Sequence, residues 1–89
     1  YEGYPNALIE AMNAGLACIH YDCPSGIGEI LDNEVNGYLI PMDEYNMFSS
    51  KLKELFFDKQ KRNLLGSKAR KSVKKLLIKN IAEQWLKII

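Results

Sequence analysis

Glycine and proline decide what this chain can become. Gly15, the Pro24-Ser25-Gly26 cluster, Asn36-Gly37 and Pro41 cut residues 1–41 into short pieces, whereas from Asp43 onward apolar residues recur at helical spacing. Residues 1–15 predict a loop feeding a helix: Pro5 suits a first-turn position, Ala7, Leu8, Ala11 and Met12 share one face, and Gly15 supplies the stop. Ala17 to Tyr21 is a short apolar run suited to a buried parallel strand. Gly26 to Leu31 leaves room for about one and a half helical turns. Asn36-Gly37 then turns the chain into a second strand, Tyr38, Leu39 and Ile40, which Pro41 ends. The expected order is α, β, α, β, followed by helix.

In the helical part Asp43 reads as an N-cap, with Phe48, Leu52, Leu55 and Phe56 forming one apolar stripe. Leu65, Ala69, Val73 and Leu76 form a second stripe, opposite Lys68, Arg70, Lys71, Lys74 and Lys75. A third, Ile78, Ile81, Ala82, Trp85, Ile88 and Ile89, predicts a terminal helix anchored on the body by Trp85. All 12 Lys and Arg lie at or beyond Lys51, so a net charge of +1 hides an acidic first half and a basic second half. Such a partition suits an anionic partner surface, but the helical spacing of the cations favours a solvated face.

With 47% hydrophobic and 26% charged residues the 89-residue chain is globular rather than disordered, and it has room for one domain at most. No apolar run is long enough to span a bilayer and no charged-then-apolar leader begins the chain, so a cytoplasmic setting is expected. Cys18 and Cys23 lack both the spacing and the partners of a zinc site or a disulfide scaffold and read as reduced, largely buried thiols. No phosphate-binding glycine loop or metal-ligand cluster is present. The single histidine, His20, falls inside a predicted strand, where a core or surface role is commoner than catalysis.

The chemically informative stretch is Glu2-Gly3-Tyr4-Pro5-Asn6-Ala7-Leu8-Ile9-Glu10. Helical side chains lean toward the N-terminus, so Glu10 tilts back toward the helix mouth that Glu2 approaches from the loop. That mouth offers unpaired backbone N–H groups from residues such as Asn6 and Ala7, and the positive end of the helix dipole. Amides there suit phosphate; carboxylates suit pairs of sugar hydroxyls. A nucleotide sugar carries both. Favourable charges near a helix start explain the two glutamates as well.

The run from Glu2 through Met12, followed by Gly15-Leu16 and an apolar strand ending in Asp22, resembles the E-x7-E region of retaining GT-B glycosyltransferases of family 4. The resemblance continues through Pro24-Ser25-Gly26, Glu29-Ile30-Leu31, Asn36-Gly37-Tyr38-Leu39-Ile40-Pro41 and Leu65-Gly66-Ser67-Lys68-Ala69-Arg70 to Ile81-Ala82-Glu83-Gln84-Trp85. It implies an α/β fold: part of a Rossmann-like C-terminal domain, with two short parallel strands, flanking helices and a helical C-terminal tail. Residues 1–41 would be the α/β donor-binding part and residues 42–89 the helical part of one fragment, which alone should be inactive and should self-associate.

By the same resemblance Glu2 and Tyr4 would meet the donor sugar, the backbone of Asn6 and Ala7 the diphosphate, and Glu10 the ribose. Hexosyl or N-acetylhexosaminyl transfer from a nucleotide sugar, UDP-linked, to a glycan or lipid-linked acceptor is the implied reaction, in polysaccharide or lipopolysaccharide synthesis. The implied setting is the cytoplasm at the inner face of the membrane, with peripheral membrane association, no nucleic acid, and neither metal nor cofactor. The basic pair that the family sets against the diphosphate has no counterpart before Lys51. Relatives often carry Gly-Gly where Pro24-Ser25-Gly26 stands and Pro where Gly28 precedes Glu29, so Glu29 reads as a carboxylate that supports the site indirectly or caps a helix. The second reading is a noncatalytic nucleotide-sugar-binding module, or a remnant keeping only the fold.

Overall fold

The computed structural model describes residues 6–24 and 26–88, with side chains described through residue 84. Helix α1 spans Asn6–Asn13. It closes in a Schellman arrangement: the Gly15 N–H donates to the Met12 carbonyl at 3.0 Å and the Leu16 N–H to the Ala11 carbonyl at 3.1 Å. Gly15 sits at φ +78°, the left-handed backbone that this ending requires. Strand β1, Ile19–Asp22, follows and pairs in parallel with β2, Tyr38–Pro41, in the register Ile19 to Tyr38 through Asp22 to Pro41. β1 starts two residues later than the apolar run suggested. Pro41 ends β2 from inside the pair.

Between the strands the expected helix is a single 3-10 turn, Ile27–Glu29, which buries Ile27. The chain then loops back through Asn36 and Gly37. Asn36 is 4% exposed and fully engaged: its Oδ1 accepts the Asp32 N–H at 2.7 Å, and its Nδ2 donates to the Ile30 carbonyl at 3.0 Å and to Ser72 Oγ at 3.1 Å. Gly37 packs where a Cβ would collide with the Leu31 side chain and come within 2.8 Å of the Cys18 carbonyl oxygen.

Helix α2 is Tyr45–Phe57 and α3 is Lys59–Ile88. Asp43 does not cap α2. It adopts φ +68° within the turn that follows Pro41, which turns its carboxylate from the helix, and accepts the Tyr45 hydroxyl at 3.0 Å instead. Asp58 joins the two helices: its Oδ1 accepts the Lys61 N–H at 2.9 Å, capping α3, while Arg62 Nη1 donates to the Leu55 and Phe56 carbonyls at 2.7 Å each, closing α2.

The sheet separates two apolar clusters, and α3 stitches them together. Strand alternation turns Ile19, Tyr21, Tyr38 and Ile40 toward α2, where they pack with Leu55, Phe48 and Leu65. Leu39 turns the other way, toward Met12, Cys18, Ile27, Leu31, Ala69 and Val73. The second stripe is thus buried as expected, with Leu76 at its half-buried end. Two corrections concern helices. Leu52 and Phe56 are exposed, so only Phe48 and Leu55 of the first stripe reach the core. The second stripe and the third as far as Ile88 lie on one continuous 30-residue helix, and Ile78, Ile81 and Ala82 face solvent rather than the body. The Trp85, Ile88 and Ile89 side chains lie outside the described ones.

Candidate functional site

Helix α1 is described from Asn6, and Asn6, Ala7 and Leu8 form its first described turn. Asn6 and Ala7 are exposed and open onto a groove of about 560 Å³, whose walls include Leu8, Ala11, Ala17, Cys18, Ile19 and His20. The groove exists because the Gly15 ending reverses the chain. Segment 16–20 runs back alongside α1, about 13 Å of extended chain against roughly 10 Å of helix.

Glu10 lies one turn into α1, exposed, and among the described residues it takes part in no ion pair. It is not among the residues that line the groove. Glu2, Tyr4 and Pro5 lie outside the described residues. Glu29 stands elsewhere. It ends the 3-10 turn and lines a separate groove of about 330 Å³ with Asp32, Asn36, Ser72 and Lys75, sharing no wall with the one at α1. The structure therefore brings Asn6 and Ala7 to one groove and leaves Glu29 out of it.

His20 lies in β1 and lines the same groove. It is half-buried in the α1 groove, with Nδ1 2.8 Å from the Tyr21 carbonyl oxygen. A ring protonated at Nδ1 donates there, which leaves Nε2 as the remaining polar atom. The signal was the alternation in Ile19-His20-Tyr21, which sends His20 to the side opposite its two apolar neighbours. Cys18, beside it, is buried, and burial pushes its thiol pKa upward, so it stays protonated and serves packing. Cys18 and Cys23 form no disulfide.

Residues 1–72 match the family described as glycosyl transferases group 1. Over 95 residues covering 99% of this chain, it is 30% identical to the UDP-N-acetylglucosamine–peptide N-acetylglucosaminyltransferase GtfA subunit of Limosilactobacillus reuteri, covering 18% of that protein. It is also 30% identical to the poly(ribitol-phosphate) alpha-N-acetylglucosaminyltransferase of Staphylococcus aureus, over 99% of this chain and 18% of that one. A shorter match, 46% over 39 residues, covers 44% of this chain and 11% of the lipopolysaccharide 1,6-galactosyltransferase of Escherichia coli K12. The chain spans less than a fifth of the length of each of these relatives.

Proposed function

Because this chain belongs to the glycosyl transferases group 1 family, we propose that it is the donor-binding part of a retaining GT-B glycosyltransferase of family 4. The reaction is transfer of a sugar from a UDP-linked donor to a glycan or lipid-linked acceptor. The observation that carries this reading is the groove that Asn6 and Ala7 of α1 line together with His20; Glu10 lies on the same helix, exposed, but is not among the residues lining that groove. The name of the Limosilactobacillus reuteri relative specifies UDP-N-acetylglucosamine, which supports the UDP donor.

In this reading each group has one task. The α1 amides and the helix dipole receive the diphosphate and stabilise the charge that grows on it as the sugar departs. Glu10 accepts hydrogen bonds from the ribose hydroxyls and fixes the nucleotide's position. Glu2 and Tyr4 hold the donor sugar. Residues 1–50 contain no Lys or Arg, so cations against the diphosphate come from elsewhere in the protein. The reading invokes no metal or cofactor and assigns no proton transfer to this segment.

Calorimetric titration of UDP into the enzyme carrying this segment tests the assignment. Glu10→Ala should weaken binding by about 1.5 to 3 kcal/mol, the range for a hydrogen bond to a charged group. Unchanged affinity in a folded variant removes Glu10 from the ribose site. A protein that binds UDP but transfers no sugar to any acceptor would instead be a binding module.

A further inference from the structure

We propose that Asn36-Gly37 is a latent deamidation site, held closed by the native fold and released only when the loop between the strands comes away from α3. Among the asparagines of the chain only Asn36 precedes a glycine. Without a side chain on the following residue, the backbone nitrogen there can approach the asparagine amide. The reaction needs water alone. The Gly37 nitrogen forms a bond to Asn36 Cγ, the Cγ–Nδ2 bond breaks, and Nδ2 leaves as ammonia, taking up through water the proton that the Gly37 amide sheds. A second water then opens the succinimide at one of its two carbonyls. Opening at Cγ leaves an aspartate. Opening at the main-chain carbonyl leaves an isoaspartate, whose backbone carries an extra methylene.

The folded chain withholds each part of that step. Two hydrogen bonds occupy Nδ2, the group that must leave, and a third fixes Oδ1 on the Asp32 N–H. Ser72 Oγ, one of the partners, donates its own proton to the Lys68 carbonyl at 3.0 Å, so toward Asn36 it accepts. Gly37 is buried between the Leu31 side chain and the Cys18 carbonyl oxygen. Its carbonyl accepts the Glu34 N–H at 2.8 Å, and the Tyr38 N–H donates to the Cys18 carbonyl at 2.9 Å. Nitrogen and amide carbon therefore cannot swing together until these contacts are undone. Every partner belongs to the described residues, so cover from the rest of the protein only adds to the closure. Reaction in an opened molecule is one-way. A carboxylate at position 36 has no N–H for the Ile30 carbonyl and would set a buried charge against that oxygen. Isoaspartate lengthens a segment that has no space for even a Cβ. The tie from this loop to α3 is not remade, and the site keeps a record that the fold has opened.

Mass spectrometry of the protein carrying this segment tests the proposal. Cleavage after Glu34 and Glu44 releases residues 35–44, which hold Asn36 as their only asparagine and no glutamine, so the exchange of ammonia for water is read in one peptide. Samples kept folded and samples kept in concentrated guanidinium chloride should differ in rate at least roughly tenfold, the folded rate following the small population of opened molecules. Ser72→Ala removes one of the two bonds to Nδ2 and should raise the folded-state rate roughly fivefold, with the rate in denaturant unchanged. Asn36→Asp sets the product's carboxylate in an ordinary backbone and should lower the denaturation midpoint or prevent folding. Circular dichroism shows which variants fold, and the wild-type comparison and Asn36→Asp decide whether or not Ser72→Ala does. Equal rates in folded and unfolded protein overturn the proposal. So does an Asn36→Asp protein as stable as wild type, or a folded Ser72→Ala protein that deamidates no faster.

Discussion

Tyr38 opens β2 fully buried, its hydroxyl donating to Glu54 Oε1 at 2.7 Å. Lys51 and Lys61 lie 5.0 and 5.9 Å from the centre of its ring and also approach the Glu54 carboxylate at 3.4 and 3.8 Å. Burial, then the hydrogen bond and charge of Glu54, push the Tyr38 pKa well above its ordinary 10.0. The Tyr38 hydroxyl in turn holds Glu54 below its ordinary 4.5, against a smaller opposing effect of burial and with help from Lys51. The signs give two pH limits. The depressed carboxylate contributes stability above 4.5, which is lost as pH falls through its folded-state value. The raised phenol contributes stability below 10.0, which is lost as pH climbs beyond it toward the folded-state value. Tyr38→Phe should flatten both limbs, and chemical denaturation across the pH range would show it. Limbs as steep as wild type would mean that other groups carry the dependence.

At the scale of elements, the contact between α1 and α3 depends on an absent side chain. A Cβ on Gly66 would collide with the Gly15 carbonyl oxygen and come within 2.9 Å of its carbon. Both atoms are backbone, so the helices themselves must separate. Gly66→Ala gains about 1 kcal/mol of helix propensity, but overpacking of this kind costs about 1 to 3 kcal/mol, and a rigid obstacle favours the upper end. The variant should unfold at lower denaturant, and an unchanged midpoint would show that α1 yields without cost. Gly66 resembled an ordinary helical position in the sequence, since nothing local reveals what crosses it.

Across the whole molecule, which measures 49 × 29 × 17 Å, α3 sets the long axis. Its middle is bound to both apolar clusters through Leu65, Ala69 and Val73, while beyond Leu76 the described side chains are exposed, with Asn80 half-buried. Helices without packed faces open at little cost. Amide hydrogen exchange should therefore run fast over residues 77–84 and slow over residues 65–73. Uniform protection from residue 65 to residue 84 would contradict this.

Features set by neighbouring residues were legible in the sequence. Gly15 ends α1 and Asn36-Gly37 turns into β2 because a left-handed backbone or a tight approach admits few residue types. The α/β order and the buried stripe of Leu65, Ala69 and Val73 followed from spacing alone. The resemblance pointed to Asn6 and Ala7, and the structure sets them on a groove. Partners distant in sequence were not legible. His20 reaches that groove because the chain reverses at Gly15, and Tyr38 meets Glu54 only once α2 lies on the sheet. Ile78 and Ile81 share the spacing of a core stripe. Only the tertiary structure shows them outside it, since a continuous helix rotates them away from the one surface that α3 buries.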